Sequence, residues 1–350
     1  MTGKTIACIL FLSCVVGCSK KGSTSGNPGG GSQGGGTTDT TKTADTAFAN
    51  GADVSWVTQM ESSGYSFYNS TGAKQDLFAL LGGLGINAIR LRVWVNPAGG
   101  WCNTTDLLAK AQRAAAAGMK ILIDFHYSDT WADPGHQTIP AAWASLDVNG
   151  LTTQLSNYTK GVLDTLKAGG ITPTWVQVGN EVSNGLLWPD GEASVNMQQF
   201  ASLVTSGYTA TKAVFPNCKV IVHLANGYDN TTYRWLFDGL KANNASWDII
   251  GMSLYPTTGN YTTLDAECLA NMQDMVTRYG KQVMICEVGM EEDAPADTEA
   301  FLKDIIAKTK SVSGGLGVFY WEPECYNNWQ GYGLGAFGNN GEPTAAMNAF

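Results

Sequence analysis

Histidine is scarce in this chain, with three in 350 residues. They form neither an H-E-x-x-H pair nor a three-histidine cluster, so zinc-dependent hydrolysis has no ligand set. Of the eight cysteines, Cys8, Cys14 and Cys18 lie near the N-terminus. Cys102, Cys218, Cys268, Cys286 and Cys325 show no C-x-x-C spacing, which argues against a zinc ribbon. In an exported protein these five allow one or two disulfides and leave at least one thiol unpaired. No block of Lys and Arg occurs, and 21 basic residues against 30 acidic ones give a net charge of −9. Nucleic acid is therefore not an expected partner. Also missing are a G-x-G-x-x-G fingerprint after the first strand, a P-loop and a G-x-S-x-G nucleophile elbow.

What is present begins with an address. "MTGKTIACILFLSCVVGCSK" has one Lys, then an apolar run (Ile6 to Gly17) too short to span a bilayer, as in a signal peptide. "VVGC" resembles a bacterial lipobox, which implies a signal peptide over residues 1–17 and lipidation at Cys18. Residues 18–46 are rich in Gly, Ser and Thr, cannot bury a core, and are expected to act as a flexible linker. The expected arrangement is a body over residues 47–350, tethered to the bacterial cell envelope by lipid alone. The outer membrane facing the cell surface is the expected location.

Within the body, short β-branched or apolar runs alternate with helical patterns. Strands are expected at residues 52–57, 88–94, 120–127, 174–181, 219–227, 248–256, 282–289 and 316–323. The helix "TDLLAKAQRAAAAGMK" is expected to start at Thr105 or Asp106 as N-cap and to stop at Gly118. Eight βα units favour a (β/α)8 TIM barrel over a doubly wound open sheet, which would carry fewer strands. In such barrels the site gathers where strands end.

The strand ends carry chemistry. Asn180-Glu181 closes the fourth strand and Glu287 the seventh. The third leads into "DFHYSDTWADPG", with Asp124, His126, Asp129, Trp131 and Asp133. Arg90 and Arg92 lie two apart on one face of the second strand. His223 and Asn226, Tyr255, and then Trp321, Glu322 and Glu324 follow on the fifth, sixth and eighth. Either glutamate alone reads as a capping or salt-bridged carboxylate. Together, across a barrel mouth, they suit glycoside hydrolysis, in which one carboxylic acid protonates the leaving oxygen and the other attacks or activates water. An arginine beside the attacking carboxylate would keep it ionised. Eleven Trp and thirteen Tyr also suit a sugar-stacking surface, and two or three of the loop residues Trp101, Trp131, Trp143, Trp188 and Trp329 are expected to serve as platforms.

The segments "GADVSWV", "IRLRVWVNP", "DFHYSDTWADPGHQ", "VQVGNEVSNGLLWP", "VHLANGYD", "IIGMSLYP" and "GVFYWEP" resemble the glycoside hydrolase family 53 endo-β-1,4-galactanases over almost all of residues 50–335. The resemblance implies a retaining enzyme with Glu181 as acid/base and Glu287 as nucleophile. It further implies that Asn180 holds the sugar 2-hydroxyl, that Arg90 stands beside the nucleophile, and that His126, Tyr255 and Trp321 line the reacting subsite. Asp124, Asp129 and Trp131 fall in the same motif-rich wall. The implied partner is β-1,4-galactan, cut by a monomer that needs no cofactor. Relatives hold a structural calcium near the seventh and eighth strands, but no oxygen-ligand set stands out in "ECYNNWQGYGLGAFGNNGEP". The sequence "EVGMEED" after Glu287 departs from the family's aromatic-rich stretch. Another retaining activity of the clan, such as endo-β-mannanase, and a non-catalytic glycan-binding lipoprotein are the alternatives.

Overall fold

The eight barrel strands are β1 (Ala49–Asp53), β2 (Ala88–Val93), β3 (Lys120–Phe125), β4 (Trp175–Val178), β5 (Lys219–Leu224), β6 (Ile249–Leu254), β7 (Gln282–Val288) and β8 (Gly315–Trp321), and a short antiparallel pair, Phe67–Tyr68 with Lys74–Gln75, lies apart from them. In this computed structural model, which describes residues 48–350, each barrel strand runs parallel to the next. β8 pairs back onto β1, closing the barrel. The expected signal peptide, Cys18 and the linker lie outside the described residues.

Helices follow the strands: α1 (Val57–Ser62), α2 (Leu77–Gly83), α3 (Thr104–Ala116), α4 (Val148–Ala168), α5 (Ala193–Val214), α6 (Asn230–Ala242), α7 (Tyr261–Tyr279) and α8 (Pro295–Ser311). Their apolar stripes face the barrel, as Leu151, Leu155, Val162 and Leu166 do along α4. In β3 the alternation is clear: Ile121, Ile123 and Phe125 join the core under the helices, and Leu122 joins an inner cluster with Ala49, Trp175, Met284 and Phe319. Asp124, on the same face as Leu122, continues that interior upward, so the barrel is apolar below and polar at its mouth.

Most strands end two or three residues before the expected boundary, and three differences bear on the site or its supports. β1 is Ala49–Asp53 rather than 52–57. The Ser55 N–H and hydroxyl bond the Asp53 carboxylate at 3.0 and 2.5 Å, which turns the chain out of the sheet after Asp53. The strand's small residues escaped a propensity reading, yet the interior requires them, since a Cβ at Gly51 would lie 2.2 Å from the Phe319 ring. The cap of α3 is Asn103, whose side chain accepts from the Asp106 N–H at 2.9 Å. β4 stops at Val178, three residues before Glu181. The five cysteines of the body form no disulfide; all are buried free thiols.

Candidate active site

Arg90 organises the barrel mouth. It is fully buried, and its guanidinium meets Asp53 at 2.7 Å, Asp124 at 2.9 Å and Glu287 at 2.8 Å, three carboxylates from three other strands. It also bonds the Asn180 amide oxygen at 2.8 Å and the Gln177 oxygen at 3.2 Å. So many anions around one cation offset the cost of its burial. Arg92, two residues on, does not reach Glu287. It pairs with Glu322 and lies against the rings of Trp56, Trp94 and Trp131.

Glu287 is inward-facing because of an irregularity. Met284 and Cys286 already belong to the inner cluster, so strict alternation would turn residue 287 outward. Between β6 and β7 the register shifts: Met252 pairs with Ile285, but Ser253 pairs with Glu287. This bulge re-aims Glu287 into the mouth. There one carboxylate oxygen meets Arg90 and the other accepts from the Tyr255 hydroxyl at 2.7 Å.

Glu181 reaches the same place from a loop. Gly179 has φ 85° and Glu181 itself φ 44°, both left-handed, a costly conformation for a glutamate and one associated with functional sites. A Cβ at Gly179 would approach Val182 to 2.5 Å. The Asn180 side chain between them is tied on both ends, with its oxygen at Arg90 and Gln177 and its nitrogen donating to the Ala132 carbonyl at 2.8 Å.

Both glutamates line a cavity of about 370 Å3 with His126, Trp131, Asn180, Tyr255 and Trp321. Their environments differ. Burial first, and then the charge of Glu287, pushes the Glu181 carboxyl up to about 8, against the pull of Ser253 and Arg90. Burial raises Glu287 too, but Arg90 and the Tyr255 hydrogen bond oppose it. With both its oxygens held by those donors, Glu287 is the member that carries charge and Glu181 the one that keeps a proton.

The remaining expected residues separate by position. His126 donates from Nε2 to Asp124 at 2.9 Å, because its Nδ1 accepts from Trp94 and Ala132. Burial opposes ionisation of Asp124, but Arg90 and His126 outweigh it and hold that carboxylate below its usual range. Asp129 accepts from the backbone of Asn96 and Ala141, both at 2.9 Å, and so braces the loop. It borders a second cavity of about 530 Å3, whose aromatic walls are Trp56, Trp94, Trp101, Trp131, Trp321 and Tyr332. Trp131 and Trp321 line both cavities. Of the five expected platforms, Trp101 and Trp131 stand on a cavity wall, whereas Trp143 and Trp329 are buried packing and Trp188 is tied to Asn184 and Gln137.

The sequence reading missed Asp53, Gln177, Trp56 and Trp94. Asp53 would have followed from the strand-end rule had β1 been placed correctly. Gln177 lies inside a strand, where nothing in its type marks it. Burial and Arg90 keep His223 neutral; its Nε2 bonds the Ser253 hydroxyl at 2.8 Å, beneath Asn180 and Glu181. Among the described residues, Glu322, Glu324 and Cys325 are the group of acidic and thiol side chains whose ligand atoms lie close enough to share an ion.

Comparison with known proteins agrees with this geometry. Residues 49–294 match the model of glycosyl hydrolase family 53. The chain is 37% identical over 301 residues to an arabinogalactan endo-β-1,4-galactanase of Thermothelomyces thermophilus, covering 79% of this chain and 90% of that protein. It is 36% identical over 302 residues to a probable arabinogalactan endo-β-1,4-galactanase A of Neosartorya fischeri, covering 79% and 84%. Among solved structures, a fungal β-1,4-galactanase superposes with a TM-score of 0.80 at 33% identity, covering 87% of this chain and 99% of that one. The family 53 catalytic domain of Ignisphaera aggregans gives 0.79 at 30% identity, over 86% and 95%. A family match spanning most of the barrel, with relatives this similar along most of their own length, makes the chain a member of glycosyl hydrolase family 53, and thus a glycoside hydrolase.

Proposed function

We propose that the chain is a retaining endo-β-1,4-galactanase acting on the galactan side chains of type I arabinogalactan. The observation that carries the reading is the placing of Glu181 and Glu287 on one cavity, with Arg90 and Tyr255 held on the oxygens of Glu287 alone. Glu287 attacks the anomeric carbon, and Arg90 and Tyr255 disperse its charge before attack. Glu181 gives its proton to the leaving oxygen, then, as a carboxylate, takes one from the water that releases the glycosyl-enzyme. Asn180 keeps an amide N–H for the 2-hydroxyl of the sugar, while Trp131 and Trp321 pass the chain from the reacting cavity to the aromatic one. The galactan preference is supported by the relatives' activity.

A panel of pure galactan, mannan and glucan tests the substrate; strong activity on mannan with none on galactan would overturn it. Glu181→Gln and Glu287→Ala are each expected to abolish hydrolysis and keep oligosaccharide binding, which separates an enzyme from a glycan-capturing protein. NMR of the first product should show retained β configuration, and a retaining mechanism would also require the two carboxyl groups to stand about 5–5.5 Å apart. We further read the N-terminus as a lipoprotein signal, with the barrel held on the cell envelope through Cys18. Cys18→Ala should move the protein out of the membrane fraction, and protease shaving of intact cells tests the surface location.

A further inference from the structure

Behind the aromatic wall, the chain leaves β8 through Glu322, Pro323 and Glu324, and both glutamates are fully buried. Glu322 is satisfied: one oxygen pairs with Arg92 and the other accepts from the Trp56 N–H at 2.7 Å. The Arg92 guanidinium has no acceptor at Nε or Nη2 and instead lies 4.5, 4.9 and 5.2 Å from the ring centres of Trp131, Trp56 and Trp94. Its placement therefore rests on Glu322 and on the rings.

Glu324 is different. Neither carboxyl oxygen meets a donor; ligand atoms of Glu324, Glu322 and Cys325 lie within 4.8 Å of one another, and Glu322 is the carboxylate in reach of a proton carried by Glu324. A carboxylate there would be a buried charge without a partner, so the side chain is a neutral acid. Burial, then the charge of Glu322, and Asp53 in the same sense, all favour its protonated form. The charges that act on it are those of Glu322 in the loop after β8 and Asp53 of β1, and the adjoining Cys325 thiol feels the same two carboxylates together with Arg92 of β2. A metal ion does not suit these atoms, because the Arg92 guanidinium already sits on Glu322 and burial keeps the Cys325 thiol protonated.

We propose that Glu324 is a positioning residue for polysaccharide binding: a neutral acid that shares its proton with Glu322 and so holds Arg92 beneath the indoles walling the cleft. The proposal rests on the reading of that cleft as a polysaccharide site. Two substitutions separate the donor from the bulk: Glu324→Gln keeps a neutral donor of the same shape, and Glu324→Leu keeps volume alone. The Leu variant is expected to raise KM on the polysaccharide about tenfold with kcat within about threefold of wild type, since binding rather than bond-breaking is disturbed. It should also shift the intrinsic tryptophan emission of the ligand-free enzyme. Glu324→Gln should restore both. A Leu variant with wild-type KM, a Gln variant with raised KM, or a stoichiometric metal in the purified wild type that is lost in Glu324→Gln, would each overturn the proposal. If the Leu variant does not fold, the Gln variant decides alone. The emission shift and its rescue need no substrate, so they survive if galactan proves to be the wrong polymer.

Discussion

A carboxyl that must give up a proton has to hold one at the working pH, and Glu181 does so because burial and the charge of Glu287 lift it to about 8. Two consequences follow at the scale of this residue. The alkaline limb of kcat/KM should fall with an apparent pKa of about 8; a fall near the ordinary carboxylate range would contradict the assignment. Glu181→Gln should lose about 10²–10⁴ in rate on a polysaccharide, yet far less in the first chemical step on an aryl glycoside whose phenolate leaves unprotonated. Equal losses on both substrates would show that Glu181 is not the acid. The raised proton affinity also enters stability. Folded chain binds this proton more tightly than unfolded chain, so the contribution is full below the ordinary value of 4.5 and is lost as pH rises through about 8. The Gln variant has no such dependence, so its Tm relative to wild type should climb between those pH values, and a constant difference would count against the shift. Little of this was legible in the sequence. That Glu181 and Glu287 form a pair follows from strand order, but which one keeps its proton depends on Arg90, Tyr255 and Ser253, brought together from two strands and the loop after one of them.

At the scale of elements, two short irregularities aim the machinery. Gly179→Ala meets both a positive φ and Val182 at 2.5 Å, costing about 1–3 kcal/mol for the backbone conformation alone. Because the turn it distorts carries Asn180 and Glu181, kcat should drop together with Tm. Asn103→Ala supplies the contrast: it removes the cap of α3, lowers stability by about 1 kcal/mol, and should leave kcat and KM unchanged because α3 carries none of the residues lining the reacting cavity. Thermal melts and steady-state kinetics on the two variants distinguish them, and a Gly179→Ala enzyme with full kcat would mean that the turn does not aim the acid. Helices and central strands announce themselves in the sequence by period. The bulge between β6 and β7 does not, since "QVMICEVG" reads equally well with Glu287 inside or outside. Register is settled by the neighbouring strand.

For the whole molecule, the barrel closes on itself and buries its own core within the described residues. A chain beginning at Ala47 should therefore keep the full-length Tm and kcat/KM, measured side by side, and, on the proposed lipidation at Cys18, should leave the membrane fraction; a marked drop in Tm would mean that the preceding segment packs on the barrel. Reductant should leave Tm unchanged as well, because the five body cysteines are free. The sequence by itself determined the barrel and the strands that bear the two glutamates, because burial on one face and turn chemistry are written locally, residue by residue. It did not determine which arginine meets Glu287, where β1 ends, or which way Glu287 points. Those were decided by tertiary structure, since a buried charge adopts the position where its partners converge, and here Asp53, Asp124 and Glu287 from three separate strands converge on Arg90.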